Sequence, residues 1–198
     1  MNEDLTAEPE LAEDVPQLTR KVKNVGQPRI LVLIIAAMAF SVLIRVFAFQ
    51  TFYVPSGSME PTLWPGDRIV VDKLSVEFGT IHRGDIVVFR APSGVKSQCG
   101  DSVSDLVKRV IGLPGDHLTA KGNQIFVNGK LFSQRWSVYP SLAPRPLLPT
   151  TVLANHYFMM GDNHPYSCDS RFWGSVPRSS IIGKVFIRIW PLKDFHWF

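Results

Sequence analysis

The sequence of 198 residues lacks several features that identify common classes of protein. It has no cluster of lysine and arginine interleaved with aromatic residues, so its net charge of +4 does not indicate a nucleic-acid-binding face. No segment recurs at a fixed interval, which argues against a repeat architecture. After residue 50 there is no long amphipathic helical pattern. These absences favour a domain that is built from strands.

The sequence also lacks the motifs of the common hydrolase and metal sites. The G-x-S-x-G motif is absent. No metal-ligand spacing is found among the five histidines, which are His82, His117, His156, His164 and His196. The sequence therefore implies no metal and no cofactor. Only two cysteines occur, Cys99 and Cys168; they could pair in an oxidising compartment, but the sequence does not decide this.

One long apolar segment is present near the N-terminus. Residues 30–49 read ILVLIIAAMAFSVLIRVFAF and carry a single charge, Arg45. About 20 such residues span the ~30 Å hydrocarbon core of a bilayer, and the bulky residues that follow do not form a signal-peptide cleavage site. Four basic residues precede the segment, which favours a cytoplasmic N-terminus: Arg20, Lys21, Lys23 and Arg29.

We therefore predict three parts. Residues 1–29 are a disordered cytoplasmic tail, residues 30–49 a single-pass transmembrane helix in the inner (plasma) membrane, and residues 50–198 an extracytoplasmic domain. A buried core helix is the alternative for the second part. In the third part, short β-branched runs alternate with Gly, Pro and Asn, which indicates a mostly β domain of antiparallel strands; the runs are 67–73, 85–90, 124–130, 152–160 and 181–190.

The stretch VPSGSMEPTL, residues 54–63, presents Ser58 between a glycine and two prolines. Pro55 and Pro61 fix φ and remove backbone donors. Gly57 lets the backbone approach a ligand closely. The stretch is either a stiff loop that displays Ser58 or an ordinary Pro/Ser/Gly connector.

A serine hydroxyl needs an activating base, and the sequence offers Lys108. On a strand, Lys108 shares one face with Leu106 and Val110, which are both apolar. Burial disfavours the charged form of a lysine, and the neutral amine can then accept the serine proton. A lysine at a strand edge with its amine in water is the alternative. Arg109 points to the opposite face, where we expect an ion pair.

A third stretch, FMMGDNHPYSCDSRFWG (residues 158–174), concentrates Asp, Asn, Ser and Arg in a turn-rich segment. It is either a solvated loop or a polar network that orients the base. The three stretches and the apolar segment resemble, in order and spacing, bacterial type I signal peptidase, the membrane-bound leader peptidase of the Ser/Lys serine protease class.

The resemblance implies that Ser58 is the nucleophile and Lys108 the general base, and that Ser56 and the Ser58 backbone N–H form the oxyanion hole. The implied supporting network comprises Ser167, Asp169, Arg171 and Arg109. Within it, Ser167 would hydrogen-bond the base, and the other three would form an ion-pair cluster. The implied fold has two antiparallel sheets with a small inserted cap, at about residues 117–156. Two places, His164-Pro165-Tyr166 and Cys168, depart from the family pattern.

The predicted activity is cleavage of signal peptides from exported preproteins, after small residues at positions −1 and −3. Besides the preproteins, the predicted partners are the lipid bilayer and the secretion machinery. Two alternatives remain open at this point. One is a related Ser/Lys protease that matures a pilin or conjugation protein, and the other is an inactive membrane-anchored binding domain. The sequence fixes neither the preferred preproteins nor the oligomeric state.

Overall fold

The computed structural model describes residues 27–93, 95, 99, 104–122, 124–133, 136 and 146–198. Most of the predicted tail therefore lies outside the described residues. Helix α1, Gln27–Ala48, covers most of the apolar segment. In the part of the chain that the structure describes, no helix combines the length and apolarity needed to cross a bilayer. The chain divides into two compact units, residues 1–40 and 41–198.

The second unit is mostly β, as predicted, and its strand pairings are all antiparallel in the described residues. A large sheet has the strand order β1-β2-β11-β3-β4-β9-β10, with β12 paired to β11. Its strands are β1 (Phe49–Tyr53), β2 (Arg68–Asp72), β3 (Ile86–Arg90), β4 (Asp105–Gly112), β9 (His156–Met160), β10 (Val176–Pro177), β11 (Ile181–Trp190) and β12 (His196–Trp197). Two short helices accompany them, α2 (Leu74–Glu77) and α3 (Ser170–Trp173).

A smaller sheet has the order β7-β6-β5-β8 and occupies the region of the predicted insertion. Its strands are β5 (His117–Lys121), β6 (Gln124–Val127), β7 (Lys130–Leu131) and β8 (Thr150–Thr151). The apolar residues of β5 and β6 pack with those at the ends of β4 and β9; Leu118, Ile125, Ile111 and Phe158 are all buried. This shared core joins the small sheet to the large one.

The large sheet is covered on both faces near its centre, because the side chains of β3 alternate between two apolar clusters. Val87 and Phe89 pack on one face, while Ile86 and Val88 pack on the other. Since β4 lies beside β3 in register, with Lys108 opposite Val87, the middle of β4 is also deep in the sheet. A charged residue at this position of β4 must be buried.

Candidate active site

The segment between β1 and β2 forms the Ser58 loop, residues 54–67. Met59 and Leu63 are completely buried and fix the loop on the face of the sheet below it. Two backbone hydrogen bonds close its ends, from Val54 N to Asp67 O and from Gly66 N to Val54 O, both 2.9 Å. Ser58 lies in a single 3-10 turn, Gly57–Met59, and is only 6% exposed. The loop is therefore a packed element and not a free connector.

Lys108 reaches this loop from the middle of β4. Its Nζ donates a hydrogen bond to Ser58 Oγ at 2.5 Å. The lysine is 3% exposed, so its amine is not held in water at a strand edge. Ser56 Oγ donates a longer hydrogen bond of 3.4 Å to the same Ser58 oxygen. The structure thus brings together the three residues to which the sequence analysis assigned the chemistry.

A cleft of about 400 Å³ opens beside Ser58 and Lys108. Its sides are formed by the end of β1, with Phe52 and Tyr53, and by the start of β4, with residues 105–107. Ile69 and Val88 contribute apolar surface. Cys99, Tyr166 and Cys168 complete the lining.

Arg109, next to the lysine, forms a buried ion pair with Asp162. The contact is bidentate: Nε donates to Oδ1 at 2.8 Å and Nη2 to Oδ2 at 2.6 Å. Thr62, in the Ser58 loop, donates to the same carboxylate at 2.5 Å. The Arg109 guanidinium also lies 4.3 Å from the ring centre of Trp136. This pair connects β4, the Ser58 loop and the segment after β9.

Residues 161–174, which we call the polar loop, follow β9 and contain a second buried ion pair. Arg171 Nε donates to Asp169 Oδ1 at 2.8 Å, and Nη2 donates to Oδ2 at 2.9 Å. The same Nη2 donates to the carbonyl oxygens of His164 and Ser167, at 2.8 and 3.1 Å. The predicted single cluster of Arg109, Asp169 and Arg171 is therefore two separate pairs, because Arg109 binds Asp162 instead.

The polar loop contacts the Ser58 loop directly through Asn163. The backbone N–H of Asn163 donates to the carbonyl oxygen of Ser58 at 3.1 Å. Its side-chain Nδ2 donates to the carbonyl oxygen of Gly57 at 3.0 Å. At Gly161, a Cβ would collide with the Ser58 carbonyl oxygen and with Ser167 Oγ. Only glycine allows this close approach of the two loops.

Ser167 differs from what the resemblance implies. Its hydroxyl is buried and makes no hydrogen bond in the described part of the chain, so the implied bond to Lys108 is not formed. The hydroxyl instead packs against Gly161. The physical reason is the tight approach at Gly161, which holds Ser167 against the backbone of its own loop.

His164 and Cys168 occupy the positions that depart from the family pattern. His164 is buried, and its Nε2 has no hydrogen-bond partner among the described residues. Burial lowers the pKa of His164, and the positive charge of Arg171 lowers it further, against smaller opposing effects of Asp169 and Asp162. Cys168 forms a disulfide with Cys99, with the two Cα atoms 6.0 Å apart. The described residues contain no group of three or more His, Cys, Asp or Glu side chains that could hold a metal ion.

Comparison with known proteins identifies the family. The family model described as "Signal peptidase, peptidase S26" matches residues 27–190. The chain belongs to this signal peptidase family. It is therefore a serine endopeptidase of the S26 family.

Two curated relatives agree with this assignment. The chain is 39% identical over 150 residues to signal peptidase I of Leptolyngbya laminosa, covering 76% of this chain and 73% of the relative. It is 35% identical over 158 residues to probable signal peptidase I-2 of Synechocystis sp., covering 80% and 71%. A crystal structure of a signal peptidase I from Enterococcus faecalis V583 is 26% identical, with a TM-score of 0.43, covering 53% of this chain and 96% of that chain.

Three residues of the candidate site were not assigned a role from the sequence: Thr62, Asp162 and Asn163. Each acts through a hydrogen bond between segments about 50 to 100 residues apart, so no local pattern reveals its partner. The available signal was the density of polar residues in the 158–174 stretch, directly after a run of apolar residues. That signal located the segment but not its contacts.

Proposed function

We propose that this S26 endopeptidase removes signal peptides from exported preproteins, with Ser58 as nucleophile and Lys108 as general base. The observation that carries the proposal is the 2.5 Å contact between Lys108 Nζ and Ser58 Oγ, both in buried side chains. Because desolvation disfavours the ammonium form of a lysine, the buried amine is suited to accept a proton. The same contact then serves for transfer of the hydroxyl proton to the amine.

The reaction runs in two stages. Ser58 Oγ attacks the scissile carbonyl carbon while Lys108 takes the hydroxyl proton. The C–N bond then breaks, and the ammonium of Lys108 returns that proton to the departing nitrogen, which leaves an acyl-enzyme. In the second stage, Lys108 deprotonates a water that attacks the ester, and Ser58 recovers its proton as the ester bond breaks.

The tetrahedral intermediates need stabilisation of a negative oxygen. The Ser58 backbone N–H and the hydroxyl of Ser56 are the proposed donors. Ser56 Oγ already lies 3.4 Å from Ser58 Oγ, so a rotation about its side-chain bond suffices to reach an adjacent oxyanion. Removing a donor of this kind typically raises the barrier by about 3–4 kcal/mol. The pairs Arg109–Asp162 and Arg171–Asp169 support the two loops that carry these groups.

The cleft supports the proposed substrate preference. Ile69, Val88 and Leu106 contribute apolar surface to a lining that also contains polar groups. Small side chains at positions −1 and −3 point to the same side of an extended peptide, because side chains alternate along a strand. Both would face the apolar side chains of the cleft.

A membrane anchor is the second part of the proposal, with a cytoplasmic N-terminus and an extracytoplasmic domain. Residues 30–35 are consecutive, apolar and each at least 50% exposed, so this part of α1 is apolar on every side. Phe49 begins an aromatic cluster with Phe186 and the exposed Trp197, and the amphipathic ring of a tryptophan suits a membrane interface. Nine residue steps limit the distance from Phe49 to Ser58 to about 30 Å.

The test is cleavage of a preprotein with an Ala-x-Ala site by the purified full chain in detergent. We expect Ser58→Ala and Lys108→Ala to abolish cleavage, because each removes one member of the dyad. Ser179→Ala and Lys193→Ala are matched controls at exposed positions and should cleave normally. Cleavage that survives either dyad substitution contradicts the assigned roles. Cleavage restricted to a pilin-like substrate would favour the specialised protease instead.

A further inference from the structure

A second cavity, of about 330 Å³, lies against the Ser58 loop and is lined by Gly57, Glu60, Asn163 and Tyr166. We call it the Glu60 cavity. It shares only Tyr166 with the cleft. The cleft is lined by Pro55, Ser56 and Ser58, whereas the Glu60 cavity is lined by Gly57 and Glu60, so the two cavities meet the Ser58 loop at neighbouring residues. The Glu60 cavity is therefore available to the part of a peptide substrate that the cleft does not hold.

The Glu60 cavity presents hydrogen-bond acceptors that have no donors. Glu60 is half-buried, and its carboxylate makes no hydrogen bond or ion pair within the described residues. This carboxylate lies over the Gly57 backbone, since a Cβ on Gly57 would be 2.5 Å from Glu60 Oε1. Asn163 is 4% exposed, and its buried Oδ1 also has no partner in the described part of the chain.

The orientation of the Asn163 amide is set by its other contact. Nδ2 donates to the Gly57 carbonyl oxygen at 3.0 Å, and a carbonyl can only accept, so Oδ1 is the atom left over. The cavity is thus lined by a carboxylate that has no partner among the described residues, beside the nucleophile. Such a group is complementary to a cationic group with N–H donors, and it would repel another carboxylate.

Peptide hydrolysis generates a group of that kind at this place. When the C–N bond breaks, the departing nitrogen becomes the α-amino group of the released chain. Its ordinary pKa is about 7.7–8.0, so it takes up a further proton from water and is an ammonium at neutral pH. A lysine side chain shortly after the cleavage site would bring the same chemistry before cleavage.

We propose that the Glu60 cavity is a subsite for an ammonium group on the leaving-group side of the scissile bond. This inference rests on the proposed function for its place in the reaction. The ammonium binding that it predicts does not require catalysis, however, so the subsite and the proposed function can be refuted separately. Glu60 is the residue that determines the charge preference.

The first experiment measures binding of a short product peptide to the full chain by calorimetry. The probes are Ala-Gln-Ala-Thr amide with a free α-amine and the same peptide with an acetylated N-terminus. We expect the free peptide to bind wild type about fivefold more tightly, the factor expected for a partly exposed ion pair. Glu60→Gln should remove the difference. Glu77→Gln, which removes an exposed carboxylate on α2, should preserve it.

A pH series on wild type alone checks the same point without any variant. The preference for the free amine should disappear above about pH 8.5, where the α-amine is neutral. The second experiment compares cleavage of two preproteins that carry lysine or glutamine at the second residue after the scissile bond. If Glu60→Gln removes the preference for the free amine in the binding experiment, the released N-terminus is the ligand. If it removes a preference for the lysine-bearing preprotein in the cleavage experiment, the substrate lysine is the ligand.

Equal binding of the free and acetylated peptides to wild type, together with equal cleavage of the two preproteins, would overturn the inference. A preference that persists unchanged in Glu60→Gln would also overturn it. Absence of cleavage with intact, Glu60-dependent amine binding would instead refute the proposed function and leave the subsite established.

Discussion

The disulfide between Cys99 and Cys168 gives the sharpest prediction about stability. It joins the segment before β4 to the polar loop, and both cysteines line the cleft. Replacing both by serine, or reducing the bond, releases a constraint on the unfolded chain while leaving each side chain nearly the same size. The folded state should therefore lose stability mainly through the greater entropy of the unfolded state.

The magnitude follows from the length of the closed loop. With a separation of 69 residues, the chain-entropy relation gives about 4.4 kcal/mol at 25 °C. Measured losses for native disulfides fall between about 2 and 5 kcal/mol, so 2–4 kcal/mol is the realistic expectation here. A domain that is stable by about 5–15 kcal/mol would lose a substantial fraction of its free energy of unfolding.

The assay is urea denaturation of the full chain in detergent, followed by tryptophan fluorescence. With an m-value of about 2 kcal/mol/M, the expected loss lowers the midpoint by about 1–2 M. The wild type in a phosphine reductant should match the Cys99→Ser/Cys168→Ser double variant. The reductant should leave the double variant unchanged, which makes it the matched control.

Two results would refute this reasoning. One is a double variant whose midpoint stays within about 0.2 M of wild type at an unchanged m-value, because the released loop entropy would then have no effect. The other is a reductant that lowers the urea midpoints of wild type and double variant equally, because the reductant would then act on something other than this disulfide.

Three further substitutions test the polar loop. Asp162→Asn should lower the free energy of unfolding by about 3–5 kcal/mol in the same urea assay, because it leaves the buried Arg109 charge uncompensated; a loss below 1 kcal/mol would contradict this. Gly161→Ala should reduce kcat about a hundredfold, since its Cβ would displace the Ser58 carbonyl; unchanged kcat would show that the loops can separate freely. His164→Asn should remove a pH dependence of stability. Because the pKa of His164 is lowered in the folded state, the unfolded chain binds more protons near this pKa. The contribution of His164 to stability is therefore complete above pH 6.5 and is lost as the pH falls below that value. Urea midpoints at pH 5.5 and 7.5 measure this loss, and an equal change in wild type and variant would refute the prediction.

The strands of the large sheet were predictable because β-branched residues alternate with polar ones between turn signals. The predicted runs 67–73, 85–90 and 181–190 match β2, β3 and β11, and each end differs by no more than one residue. Strand β1 was not predicted. It follows α1 without a turn signal, and its sequence FQTFY reads as a continuation of the apolar segment. Strand β1 is stabilised by its antiparallel pairing with β2, and the local sequence does not reveal that pairing.

The contacts of the candidate site were less predictable than its residues. Ser58 and Lys108 stand in unusual local settings, but the partner of Arg109 depends on the register between β4 and β9. Arg109 lies opposite Met160, and Asp162, two residues further along the chain, pairs with its guanidinium, while Asp169 pairs with Arg171. The disulfide was equally undetermined, since a separation of 69 residues leaves no local trace of the pairing.

The positions of Ser58 and Lys108 depend on the polar loop as well as on the strand that carries the lysine. Three connections leave this loop: Asp162 to Arg109, Asn163 to the carbonyl oxygens of Gly57 and Ser58, and Cys168 to Cys99. Buried ion pairs contribute little net stability compared with apolar residues of the same volume. Their directional hydrogen bonds, however, restrict the loop to one position. Substitutions within the loop should therefore change the Ser58–Lys108 distance, and with it kcat, by more than their effect on the free energy of unfolding would indicate.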